Sequence, residues 1–534
     1  MEITRLDYAA VAEFSTLDKA YATAEPALRP FYEHPVNLEQ FEAVIAAKQG
    51  FDPKKRAILA TELLAQYQAV DASEATLNNI HALRQENCYT IITAHQPSLF
   101  TGPLYTIYKI LSVIKLAEQV QQQYPTVQVV PVFWMGGEDH DFEEVNHLHL
   151  FGNTLTWDDE QGGSVGAYNT ASMRVVLDQT KEILGNGVRA QVLAEKLEAY
   201  FGTARTYREG VRDWLNWLFA DYGLVIVNAG TPVFKQQLIP VLQEELLKHS
   251  SKALVEQTVQ ELEAAGFSQQ AHARLINVFY LSPQKRSRIV LEDGEYQVLD
   301  TAIRFSQESL LQHLNEYPDR FSPNVILRPL FQELIFPNLA YVGGGGELAY
   351  WLERKTQFEH YQVPFPMLVR RASVLWIPKS ISKLMDKLGL GVNDIFMDTH
   401  QLIKQYVIDN ASEELSFAQE IEAMNEVFEQ LIGKTVAVDP ALERAVIAQQ
   451  VNTQKAIGKL EQRLIRAEKQ KQENSIQQIE KIKDTLFPNQ GLQERYDNFM
   501  GFYTRYGNEF IKTLYQEINP LDKQLLVVKD NLQN

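Results

Sequence analysis

Three features of this 534-residue chain predict an α/β fold built on a doubly wound, Rossmann-like parallel sheet. Two apolar runs, 89–94 (YTIITA) and 127–135 (VQVVPVFWM), flank a helical repeat at Leu104, Ile107, Ile110, Leu111, Ile114 and Leu116. A strand–helix–strand crossover of this kind makes its two strands parallel. Further apolar runs at 224–227, 325–327, 339–342 and 367–369 extend the same sheet, since continuous apolar runs suit strands covered on both faces.

Taken in order, the first 85 residues carry helical spacing, as at Ile58, Leu59, Leu63, Leu64 and Tyr67. Two insertions are expected in the core. The one at about 155–222 is mostly helical over 179–219, and the one at about 231–320 contains a hairpin at 288–298 that turns at Asp293-Gly294. After residue 380 the texture becomes polar and helical. Asp439-Pro440 reads as an N-cap with Pro at the first helical position, and one helix is expected to run on to Pro488. Val446, Ile457, Leu460, Leu464 and Ala467, then Ile476, Ile479 and Leu486, form an imperfect heptad-like seam interrupted by a Gln/Lys/Glu-rich turn, with 492–515 as the return helix. The domains expected are a core (1–380), a helical coiled-coil arm (381–515) and a tail returning to the core (516–534).

Composition narrows the function. A net charge of -18 opposes a surface that tracks nucleic acid phosphates, so a small-molecule substrate is expected. The single cysteine, Cys88, excludes a disulfide framework and any thiolate cluster, and reads as a packing residue. No run of 18 apolar residues occurs and the first residues are charged, which reads as cytoplasmic with no membrane partner.

The unusual residues follow the strands, where ligands of open α/β sheets bind. After the first run come His95, Gln96 and Pro97, then Thr101, Gly102 and Tyr105, with helix-start N–H groups expected to face an anion. After the second come Trp134, Glu138, Asp139, His140, Asp141 and Asn146; acidic and imidazole groups cluster like this to meet an amine, a sugar or a cation. A metal set of His140, Asp141 and His147 is the alternative there, and no tightly bound metal is expected. The third group is Arg328, Gln332, the glycines Gly343, Gly344, Gly345 and Gly346, and Glu347; such a glycine run lets backbone approach a ligand.

Four stretches resemble one family. They are AHQPSLFTGPLYTIYKILSVIKLA from Ala94, VPVFWMGGEDHDFEEVNH from Val130, NVILRPLFQELIFPNLAYVGGGGELAYW from Asn324 and LFPNQGLQERYDNF from Leu486. Together they are similar to the BshC family of cysteine ligases in bacillithiol synthesis, and the resemblance spans nearly the whole chain. It implies a core like that of class I aminoacyl-tRNA synthetases, connecting-peptide insertions and a coiled coil used in homodimerisation. It also implies a carbon–nitrogen ligase that makes a low-molecular-weight thiol by joining L-cysteine to glucosaminyl-malate, with ATP as co-substrate. On this reading His95, His140 and Asp141 are catalytic. Gln96, Tyr105, Trp134, Glu138, Asp139, Asn146, Arg328, Gln332 and Glu347 bind substrate, and Thr101, Gly102 and Gly343 to Gly346 bind nucleotide. The sequence departs from the synthetase pattern: His95-Gln96-Pro97 lacks a second His, and no KMSKS-type loop or Cys/His zinc set is present. Two other readings stay open, a metal-dependent hydrolase using the Glu138–His147 cluster and a non-catalytic dimeric scaffold.

Overall fold

In the computed structural model, which describes residues 1–411 and 415–531, the parallel sheet consists of β1 (Cys88–His95), β2 (Gln128–Met135), β3 (Val225–Val227), β4 (Asn338–Gly343) and β5 (Met367–Arg370). Their order across the sheet is β3-β2-β1-β4-β5, all parallel. The chain winds from β1 out through β2 to β3 and then crosses to β4 on the other side. Winding therefore reverses between β1 and β4, the switch point at which doubly wound sheets open a crevice.

Alternate residues of each strand enter different cores. Cys88, Ile92, Val130, Val132, Val225, Tyr341 and Leu368 pack on one face with Leu59 and Leu63 of the helix Pro53–Tyr67. On the other face, Tyr89, Ile91, Val129, Val342 and Val369 pack with Val113, Leu116 and Val120 of α1 (Tyr105–Gln123). Both faces are apolar, which is why the strands read as unbroken apolar runs. Cys88 is buried, and burial pushes its thiol up to about 12 against the nearby Arg56 charge.

The helical insertion forms the helices Arg174–Leu184, Val188–Phe201 and Tyr207–Phe219. The later insertion builds an antiparallel sheet in the order Arg304–Phe305, Glu295–Val298, Arg286–Glu292, Val278–Leu281 and Phe321–Pro323. Its hairpin turns at Asp293 (φ 51°) and Gly294 (φ 80°), the paired positive angles that a tight hairpin turn favours. One expected strand is absent from the parallel sheet. Residues 325–327 form a turn, because the Asn324 side chain accepts from the Ile326 N–H (2.9 Å) and the helix Arg328–Ile335 then begins with Pro329 near its N-terminus. The strand there is Phe321–Pro323, antiparallel to Val278–Leu281. At the start of the chain, Glu2–Asp7 is a strand that the helical reading missed.

One compact unit holds Arg5–Leu375 and Gln493–Leu526, and a second holds Trp376–Leu492 with the two chain ends. In the second unit Ile479, Ile482 and Leu486 are fully buried. The long helix is interrupted at Gln472, giving Glu443–Lys471 and Glu473–Leu486. Its antiparallel partner is the preceding helix Ala418–Val436, not residues 492–515: Gln450 and Gln454 each donate to Asn425 Oδ1 (2.8 Å). No side chain of Ala418–Val436 is buried.

Candidate active site

A cavity of about 640 Å³ opens at the carboxyl ends of β1, β2 and β4, around the switch point. His95 ends β1, and its Nε2 lies 3.2 Å from Tyr105 Oη and 3.5 Å from Ser98 Oγ. Burial, with the Lys109 charge beside it, drives the imidazole down to about 3, so at neutral pH the ring is an uncharged hydrogen-bonding group. The loop that follows is strained, because Phe100 and Thr101 both have positive φ (45° and 76°). Asn498 holds it in place by donating to Phe100 O (3.0 Å) and Gly102 O (2.7 Å). The N–H groups expected to face an anion here are used within the loop, Thr101 N–H on Ser98 O and Gly102 N–H on Leu99 O. Thr101 itself is buried, and neither residue lines the cavity.

Across the switch point, β4 runs through Gly343 into α2 (Gly345–Leu352). Glu347 folds back on the start of this helix and accepts from Gly344 N–H (2.9 Å), Tyr341 Oη (2.7 Å) and Lys109 Nζ (2.7 Å). Burial pushes its carboxyl up, but the Lys109 charge and these hydrogen bonds pull it down to about 2. A Cβ at 345 would fall 2.2 Å from Asp18 Cγ, so glycine lets the start of this helix approach the Asp18 side chain closely. Gly344, Gly345 and Gly346 line the cavity, and the N–H groups of Gly345 and Gly346 have no acceptor within their helix. Gly343 is buried as the last residue of β4.

The turn after β2 supplies Glu138 and Asp139. Lys235, fully buried, places Nζ 2.8 Å from both carboxylate oxygens of Glu138, and Ser322 Oγ donates to the same group (2.8 Å). Arg286, the first residue of its insertion strand, approaches Asp139 Oδ1 to 3.4 Å, and Gln96 Nε2 donates to Asp139 Oδ2 (2.8 Å). Burial pushes the Asp139 carboxyl up, yet Arg286 and these hydrogen bonds hold it below the usual carboxylate range. Asp139, His140 and Asp141 present ligand atoms within 4.8 Å of one another. The Arg286 guanidinium lies 3.4 Å from both Asp139 Oδ1 and His140 Nδ1.

Three further arginines, Arg371, Arg328 and Arg495, give the cavity positive charge. Arg371 is clamped by Glu494 through both terminal nitrogens (3.0 and 2.7 Å) and lies 5.4 Å over the Tyr105 ring. Arg328 has no carboxylate partner among the described residues. It donates to Gln332 Oε1 (3.1 Å) and Tyr350 Oη (3.4 Å) and lies over the Tyr341 ring (5.4 Å). A guanidinium so enclosed favours an anion brought by a ligand.

The structure thus brings His95, Gln96, Tyr105, Trp134, Glu138, Asp139, Arg328, Gly344, Gly345, Gly346 and Glu347 to one cavity. His140 and Asp141 are exposed at its rim and do not line it, Asn146 turns to His147, and Gln332 is buried beneath Arg328. Lys109, Lys235, Arg286, Arg371 and Arg495 were not singled out in the sequence. Lys109 is the one with a legible signal, a lysine on the apolar face of an amphipathic helix; the others arrive from distant segments.

These features define a doubly wound α/β protein with a charged small-molecule cavity at the switch point. The chain matches two family models, "Bacillithiol biosynthesis BshC, N-terminal Rossmann-like domain" over residues 1–372 and "Bacillithiol biosynthesis BshC, C-terminal coiled-coil domain" over 374–529. It belongs to the BshC family of bacillithiol biosynthesis, as the four stretches implied. Three similar relatives each bear the name "Putative cysteine ligase BshC". That of Christiangramia forsetii is 38% identical, with 98% of each chain covered. Those of Flavobacterium johnsoniae and Flavobacterium psychrophilum are 37% and 36% identical, each match covering 98% of this chain and 99% of the relative. A solved structure from Campylobacter jejuni titled "putative arginyl t-RNA synthetase" covers 86% of this chain and 97% of its own at 10% identity, with a TM-score of 0.19, too low to bear on the fold. Among the described residues, no helix is long and apolar enough to cross a membrane.

Proposed function

We propose that this protein joins the carboxyl group of L-cysteine to the amine of glucosaminyl-malate in the switch-point cavity, with ATP as the activating co-substrate. The observation that carries this reading is that one cavity holds both an acidic pair, Glu138 and Asp139, and the carboxylate-free Arg328. An amine nucleophile that carries a dicarboxylate needs both. A carboxylate oxygen leaves poorly, so ATP must first transfer a phosphoryl or adenylyl group to it. The amine then attacks the acyl carbon, the phosphate-bearing group departs with the carbon–oxygen bond electrons, and the nitrogen loses a proton.

Glu138 and Asp139 hold the glucosamine amine, while Arg328 takes a malate carboxylate. Arg371 and the N–H groups of Gly345 and Gly346 face the nucleotide phosphates. His95, as a neutral imidazole, contributes a hydrogen bond at the reacting carboxyl. The second unit serves association: Leu460 and Leu464 are 53% and 37% exposed, a seam suited to a second copy of the arm. Purified protein incubated with cysteine, glucosaminyl-malate and ATP should yield bacillithiol together with AMP or ADP. Absence of product in vitro, with normal bacillithiol in cells carrying only the His95→Ala protein, would reject the catalytic reading and leave a scaffold.

A further inference from the structure

Beside the main cavity lies a smaller one of about 190 Å³, into which Ser98, Glu144, His147, His149, Arg495 and Tyr496 project. His95, Gln96, Tyr105 and Arg495 line both cavities, so these four residues mark the junction. We propose that this annex is the cysteine subsite, with the amino acid's carboxylate at the junction beside Arg495, its ammonium on Glu144 and its thiol between His147 and His149. The inference rests on the ligase reading and adds to it the residues that select the amino acid.

Size gives the first argument. The annex is smaller than the roughly 300 Å³ at which pockets for drug-sized ligands begin, so it admits a small amino acid and excludes the nucleotide and the sugar. Those two larger reactants are left to the main cavity.

Charge gives the second. Arg495 makes no hydrogen bond or ion pair among the described residues. Glu144 Oε2 accepts from Gln96 Nε2 (3.1 Å), which fixes the carboxylate while leaving its other oxygen open. An unpaired guanidinium and a half-used carboxylate in one small cavity match the two charges of an α-amino acid.

The imidazoles give the third. His147 Nδ1 bonds Asn146 Oδ1 (3.2 Å), which puts its proton on Nδ1 and leaves the Nε2 lone pair to accept a weak donor such as S–H. His149 is held by Thr154 Oγ1 (2.9 Å) and lies flat on the Tyr496 ring, with centroids 3.8 Å apart and planes 3° apart. Burial, reinforced by His147, lowers the His149 imidazole, so His149 offers a polarisable neutral ring to a sulfur beside His147. Because His95 and Arg495 face both spaces, a cysteine whose side chain fills the annex presents its carboxyl carbon to the main cavity, where activation and amine attack take place.

The test is calorimetric titration of the full-length protein, under reducing conditions, with L-cysteine, L-serine and L-alanine. Wild type should bind cysteine at least about tenfold more tightly than serine. His147→Ala should bring that ratio close to one, whereas Glu144→Gln and Arg495→Ala should each weaken both amino acids by about tenfold, the equivalent of one charge-assisted bond. Glu144 and Arg495 are exposed, and circular dichroism checks that each variant folds. Arg328→Ala serves as the contrast, weakening glucosaminyl-malate and leaving cysteine unchanged. Unaltered cysteine affinity and selectivity in all three annex variants, with bacillithiol still formed by the wild type, overturns the annex and spares the ligase reading. No cysteine binding and no product with wild type overturns both.

Discussion

Lys109 and Lys235 are both buried lysines that hold a glutamate of the same cavity, yet their surroundings differ. Lys109 (1% exposed) meets Glu347, whose oxygens also accept from Tyr341 and the Gly344 N–H, so that carboxylate is used up locally and pulled down to about 2. Lys235 (0% exposed) meets Glu138, whose other hydrogen-bond donor is Ser322. Burial lowers both lysines, and each glutamate opposes that shift. The first pair ties the β4–α2 turn to α1 and is architecture. The second leaves a carboxylate edge for a ligand. The same ion pair thus serves two purposes, and its remaining hydrogen-bond partners decide which.

Removing the lysines tests this most severely. Lys109→Met should leave Glu347, 25% exposed, with Tyr341 and the Gly344 N–H, and cost roughly 1–3 kcal/mol in urea unfolding while the KM for glucosaminyl-malate stays constant. Lys235→Met should cost a similar roughly 1–3 kcal/mol, because Glu138 is 23% exposed and keeps Ser322, and should also raise that KM. Equal KM values in the two variants would erase the distinction.

Neutralising the glutamates should separate stability from binding. Glu347→Gln should lower the melting temperature while the KM for glucosaminyl-malate stays constant. Glu138→Gln should raise that KM about fivefold, the equivalent of roughly 1 kcal/mol for a partly exposed charge pair, with melting unchanged.

Titration sharpens the contrast further. Glu347 has a folded-state value near 2 against an unfolded value near 4.3, so its stabilisation is complete above about pH 5 and is lost as pH falls towards 2. The stability gap between wild type and Glu347→Gln should therefore be flat above pH 5 and close below it. His95, held neutral down to about 3, should add no inflection near pH 6.5 to kcat; an inflection there that disappears in His95→Gln would contradict its neutral role.

The smallest catalytic effect is expected in the second unit. Leu460→Glu combined with Leu464→Glu should convert a dimer to a monomer in light scattering, with little change in turnover. A wild type that is already monomeric at micromolar concentration would remove the arm's proposed role.

How much of this was legible in sequence depends on the range of the interaction. The hairpin at Asp293-Gly294, the strands β1, β2 and β4, and the glycine turn at 343–346 follow from local pattern and conformational preference, and the structure has them. Residues 325–327 misled because apolar content alone does not separate a strand from a buried turn, and there the Asn324 side chain decides. The break at Gln472 was legible as a Gln/Lys/Glu-rich interruption of the seam, but the partner helix was not, since a polar helical pattern carries no mark of which neighbour it packs against.

By itself the sequence determined the α/β class, the loops that follow β1, β2 and β4, and the family, because these reside in periodicity and in contiguous blocks such as 94–117 and 324–351. Only the tertiary structure decided which of the charged residues face one cavity. Lys235, Arg286, Arg371 and Arg495 come from four separate segments, and their pairing with Glu138, Asp139 and Glu494, or the absence of a partner for Arg495 among the described residues, is fixed by the strand order that brings the ends of β1, β2 and β4 together. Burial then sets the protonation state of His95 and Glu347, through desolvation and the charges packed around them, and no linear pattern encodes either.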